Sequence, residues 1–81
     1  MMQHDLKTWP VEYEAIRLGH KRHEYRYDDR GFGVGDILNL QEWDPAQEQY
    51  TGRWMHVRVT WINAAHFGIP VGYCVMSFEV L

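Results

Sequence analysis

Gly19-His20-Lys21-Arg22-His23-Glu24-Tyr25-Arg26-Tyr27-Asp28-Asp29-Arg30 is the stretch in which the hydrophobic period of this chain changes, and that change decides the fold. Before it, Val11, Ala15 and Leu18 recur at helical spacing, with Ile16 broadening the apolar face. Within it the residues alternate: His23, Tyr25 and Tyr27 share one side, Arg22, Glu24 and Arg26 the other. After it, Gly31, Gly33 and Gly35 make a turn-rich connection up to Asp36. A short helix therefore hands the chain to a strand, which predicts a mixed α+β fold.

Toward the N-terminus, residues 4–9 read as a strand with Leu6 inward, ended by Pro10, which has no ladder donor. Pro10 suits the first turn of a helix over residues 11–18, and Gly19 suits a left-handed cap. Toward the C-terminus, residues 37–43 form the next strand, with Leu38 and Leu40 toward the core. A polar connection over 46–49 and a turn over 50–52 lead to the clearest strand, 54–63. There Met55, Val57, Val59 and Trp61 mark the core side, and Trp54 and Ile62 the second face. After a loop over 64–72, the last strand spans 73–80 with Cys74, Met76, Phe78 and Val80 on one side. Five half-apolar strands of this kind bury their inner faces and lose their edges by curling into a small barrel, with the helix over an open end.

The 81 residues suffice for one domain, 1–81, and the four Trp, five Tyr and three Phe supply bulk for a small core. No apolar run reaches the roughly 20 residues of a membrane span, and the N-terminus lacks a signal-peptide pattern, so the expectation is cytoplasmic. Cys74, the single cysteine, reads as a buried small residue. The five histidines have neither HExxH nor His-x-His spacing, and a zinc site lacks its thiolates, so no metal and no cofactor is expected. The glycines precede a strand rather than opening a helix, which excludes a phosphate-binding loop.

Charge is unevenly placed. Residues 17–30 hold five cations against three carboxylates, +2, while the whole chain is −3 and the remainder therefore −5. Such a strip is expected to draw an anion that the rest of the surface repels.

The pattern Gly19-x-Lys21-x-x-Glu24-x-Arg26, followed by Asp29-Arg30-x-Phe32-x-Val34-Gly35-Asp36, Glu42-Trp43-Asp44, Tyr50-Thr51-Gly52-Arg53 and Gly72-Tyr73-x-Val75-Met76, resembles the small phage and bacterial domains of unknown function in the ASCH superfamily. These domains are related to PUA-like β-barrels. The resemblance implies a pseudo-barrel with a cleft between the helix and the strand after it, and a role in RNA binding or RNA metabolism. One branch of the superfamily hydrolyses the amide of N4-acetylcytidine with a lysine, a threonine and a later glutamate. Lys21 falls at that lysine and Glu24 at that threonine, and Glu42 and Glu79 are the glutamates available for the third role.

The residues themselves support a binding site of the same kind. Lys21 offers a point charge, Arg26 a planar donor fork, and Glu24 an acceptor for an exocyclic amine. Arg22 and Arg30 would extend the basic strip, and Tyr27 would supply a stacking surface. Tyr25 is expected in the core, His23 partly buried and Trp61 in the core. The leading reading is thus recognition of RNA, a nucleotide or a nucleoside. An amidohydrolase with Lys21 and Glu24 as catalytic residues, and an acidic protein-interaction module, are the alternatives.

Overall fold

The first strand, β1 (Gln3–Thr8), turns His4, Leu6 and Thr8 inward and leaves Gln3, Asp5 and Lys7 outside. The computed structural model describes residues 1–81. Trp9 keeps extended backbone and Pro10 opens α1 (Pro10–Arg17) from its first position, where a missing N–H costs nothing. At the far end Gly19 N bonds Ile16 O at 3.0 Å and His20 N bonds Ala15 O at 2.8 Å, with Gly19 at φ +80°. This is the paired left-handed closure that the glycine predicts.

The buried face of α1 is Tyr13 and Ile16; of the expected apolar face Ile16 is buried and Ala15 half-buried, while Val11 and Leu18 are not. Leu18 is already the cap residue, and Val11 lies on the side that does not meet the sheet, so both are exposed. A helix of two turns takes its orientation from its docking partner, here strand β3 (Ile37–Asp44), rather than from its own periodicity.

Strand β2 (His23–Tyr27) starts later than the alternation suggests, because His20 and Lys21 spend their N–H groups on Ala15 O in the helix closure. Its parity is as expected but its sides are reversed. Glu24 is inward and 7% exposed, while Tyr25 is 50% exposed and His23 and Tyr27 also face out.

Strand β4 (Gln49–Asn63) is longer than expected, since the turn from β3 lies at residues 45–48, with Glu48 at φ +53°, and not at 50–52. Two register shifts interrupt it, one opposite Gln41/Trp43 and one between Val59 and Trp61. The second reverses the parity. Val57 and Val59 are buried, but Trp61 is thrown to the outer face, 62% exposed, and Ile62 takes the inward place against the core.

Strand β5 (Tyr73–Val80) buries Cys74, Met76 and Phe78, while Val80 is exposed at the sheet's end. Burial pushes the Cys74 thiol above its usual range, with Asp28 and Glu24 adding to the effect, so it is a packing residue and a poor nucleophile.

The sheet order is β1-β3-β4-β5-β2, with β1 parallel to β3 and the other neighbours antiparallel. The sheet curls into a half-barrel around Leu6, Leu38, Leu40, Val57, Val59 and Met76, and Ile16 of α1 joins that core. The edge strands β1 and β2 are not joined by a ladder. Arg26 donates instead to Lys7 O at 2.6 Å and Arg30 to Asp5 O, so two guanidinium groups reach across the seam to carbonyls of β1. This is a small barrel-like α+β fold, and no helix in it is long and apolar enough to cross a membrane.

Gly72 is tied to the end of β2. It sits at φ +86°, its carbonyl accepts Asp28 N at 2.7 Å, and a Cβ there would lie 2.9 Å from Tyr27 Cε1. Gly72→Ala is expected to cost about 1–2 kcal/mol from the left-handed backbone alone. It should also displace the Tyr27 ring. Urea denaturation gives the first effect and the Tyr27 ring resonances the second; a variant as stable as the wild type contradicts this reading.

Candidate functional site

The open seam, the start of α1 and the residues before β2 enclose a cleft of about 740 Å³. Three features of the chain put charged groups in it. The helix closure delivers Lys21 next to β2, the inward parity of β2 brings Glu24 and Arg26 side by side, and the first turn of α1 contributes Glu12.

The charges are closely paired. Lys21 Nζ lies 3.0 Å from Glu12 Oε2 and 3.9 Å from Glu24 Oε1, with its side chain 18% exposed. Glu24 Oε2 accepts Arg26 Nε at 2.6 Å, while the terminal amino group of Arg26 is the one bonded to Lys7 O. Arg30 lines the cleft beside Asp29, at 3.6 Å, with its guanidinium bonded to Asp5 O.

The structure therefore corrects the expectation of an anion-attracting strip. Lys21, Arg26 and Arg30 each face a carboxylate, and Arg17 is held by Glu14 at 2.8 Å. Arg53 also reaches Glu14, at 2.6 Å, and the two arginines, Arg17 first, hold that carboxyl down to about 2. Glu12 and Glu14 act as partners of these cations.

Of the predicted residues, Lys21, Glu24, Arg26, Arg30 and Tyr27 line the cleft. Arg22 does not. It points to a separate recess of about 320 Å³ with Arg17, Leu18 and Glu79, because the residues after Gly19 are still completing the helix closure.

Tyr27 stands on the rim with its ring edge-on to Tyr73 at 5.4 Å, and Tyr25 stacks on Tyr73 at 5.5 Å with planes 18° apart. Tyr25 is thus a surface aromatic beside the cleft and not core filler.

Three lining residues escape the sequence pattern. Trp9 is exposed at the mouth, Lys7 sits 3.8 Å over the Trp43 ring, and Thr8 is buried with a hydroxyl that has no hydrogen-bond partner. Thr8 is within reach of sequence reasoning, since it stands two residues from the inward Leu6.

No three His, Cys, Asp or Glu side chains are arranged to hold a metal ion. Chemically, the cleft offers an acceptor in Glu24, donors in Lys21 and Arg26, and flat aromatic surfaces at its edge.

Residues 3–78 match the family described as Domain of unknown function (DUF3850). The chain belongs to that family. A relative of this DUF3850 domain is the "Uncharacterized 12.9 kDa protein in GpA 3'region" of Escherichia phage P2, 37% identical over 57 residues. The match takes in 70% of the DUF3850 chain and 50% of the phage protein, so the chain spans about half the length of that curated relative.

Proposed function

We propose that this domain is a PUA-like pseudo-barrel of the ASCH kind that recognises RNA or a nucleotide, acting in the cytoplasm, and that the cleft takes a nucleobase. The observation that carries the reading is the convergence of Lys21, Glu24 and Arg26 on one recess with Tyr25 and Tyr27 at its edge. Its volume falls within the range of small-ligand sites, about 300–1,000 Å³.

The paired charges refine the ligand. Cations already facing carboxylates contribute little to holding a phosphate, whereas a base edge satisfies donors and acceptors without adding net charge. Glu24 accepts from an exocyclic amine, Lys21 donates to a ring carbonyl, and the tyrosines stack on the ring or on a neighbouring base.

Titration calorimetry with ribonucleosides and a short single-stranded RNA at two salt concentrations tests this. Binding is expected with a shallow salt dependence, since few phosphate contacts are involved. Glu24→Gln should weaken it by about tenfold, the size of one charge-assisted hydrogen bond. Absence of binding, or an unaltered Glu24→Gln variant, overturns the reading.

Amide hydrolysis is the second reading, motivated by the Lys21 amine 3.9 Å from Glu24 Oε1 within the cleft. It requires release of cytidine from N4-acetylcytidine and its loss in Lys21→Met.

A further inference from the structure

Thr8 closes β1 on the same inward row as His4 and Leu6, is 4% exposed, and has an Oγ1 with no hydrogen-bond partner. Two carboxylates share this inner face: Glu42 in register with Thr8 on β3, and Glu24 on the opposite side of the seam. Both are already engaged. Glu42 Oε1 accepts the Thr51 hydroxyl at 2.8 Å, and Glu24 Oε2 accepts Arg26 at 2.6 Å. The Thr8 hydroxyl is left over. The other buried unpartnered atom, Asn39 Oδ1, lies outside the cleft, whereas Thr8 is one of its lining residues.

A hydroxyl buried without a partner destabilises a fold, and valine has the same branched shape without that defect. A position that served packing alone at the end of a strand is better filled by valine. The retained hydroxyl belongs to a residue that lines the same cleft as Lys21, Glu24, Arg26 and the tyrosines, and it fits a bond that forms only when the cleft is occupied.

We infer that Thr8 is the specificity-determining residue at the floor of the cleft, its hydroxyl held for a polar atom on a nucleobase beyond the edge that Glu24 reads. This rests on the nucleobase reading of the cleft. It adds that recognition has a second, buried contact from β1, across the seam from β2.

Thr8→Val and Thr8→Ser, compared with the wild type, test it by thermal melting without ligand and by calorimetry with the four ribonucleosides. Relief of an unbonded hydroxyl raises the Tm of unliganded Thr8→Val by about 4–8 °C for a domain of this size. Its affinity for the nucleoside that the wild type binds best falls by about 5–10-fold. Thr8→Ser, which keeps the hydroxyl, stays within about twofold of the wild type, a rescue that a packing role would not produce. Wild-type binding that survives Thr8→Val unaltered overturns the inference alone, as does a lowered Tm, which would mean that the hydroxyl is bonded within the fold. Failure of the wild type to bind any of the four overturns the nucleobase reading and this inference with it.

Discussion

Glu24→Ala is expected to destabilise the domain by about 2–4 kcal/mol, because it removes the anion from a largely buried pair and leaves the cations in place. The Glu24 side chain is 9% exposed and that of Arg26 26%, so water screens the stranded guanidinium only in part. The lower end of the range allows for that screening.

The effect extends beyond the pair. Arg26 is oriented by Glu24 at 2.6 Å and uses its other end to hold Lys7 O, one of two guanidinium contacts across the unladdered seam. Without Glu24 the clasp loses its anchor, and the amides of β1 should exchange faster with solvent than those of β3. Urea denaturation and hydrogen exchange give the two readouts. The double variant Glu24→Leu/Arg26→Met should lose less than the sum of the single changes, since no charge is then left buried. A single variant within about 0.5 kcal/mol of the wild type would mean that solvent already carries the arginine.

How much of this was legible in the sequence follows from what each signal depends on. Where a strand buries one face without interruption, alternation suffices: Leu38 and Leu40, Val57 and Val59, and Cys74, Met76 and Phe78 point inward as the pattern predicts. The glycine closure of α1 is local and equally readable.

Trp61 is not, because one extra residue in β4 reverses all later parity, and nothing in the composition around Thr60 marks that slip. Tyr25 fails for another reason. Bulk favours the core, but the inner place on β2 opposite Met76 is taken by Glu24, whose charge is met by Arg26 and Lys21. That exchange depends on the cations beside Glu24 and not on hydrophobicity. The ion pairs of the cleft link residues one to nine positions apart, and Glu12 meets Lys21 only because the helix closure folds one back on the other. The parallel pairing of β1 with β3, which sets Thr8 beside Glu42, joins residues 34 positions apart and has no local signature.

The second large effect lies at the opposite end of β1. Asp36 is 5% exposed and its carboxylate takes three nitrogen donors: Met2 N at 3.0 Å, Gly33 N at 2.9 Å and His4 Nε2 at 2.9 Å, the imidazole donating because a carboxylate only accepts. Its backbone carbonyl receives Val59 N at 2.9 Å, so one residue ties the start of β1, the Gly-rich connection and the centre of β4 together. Asp36→Asn should cost about 2–4 kcal/mol, because the amide turns an N–H toward a donor and one or more buried bonds are lost.

The loss should depend on pH. Burial alone would raise the Asp36 carboxyl, but the bonds from His4, Met2 and Gly33 together outweigh it and hold the group below its ordinary value of 3.8. A carboxyl lowered in the folded state contributes stability that is complete above the unfolded value and is lost as pH falls through the folded one. The gap between wild type and Asp36→Asn is therefore widest near neutral pH; it begins to narrow below about pH 4, where the unfolded chain takes up the proton first, and closes as pH falls through the lowered folded value. Urea denaturation at pH 7 and near pH 3 measures both gaps. Equal gaps would assign the cost to packing around the amide, and a gap that widens in acid would mean that the three donors do not favour the ionised carboxylate.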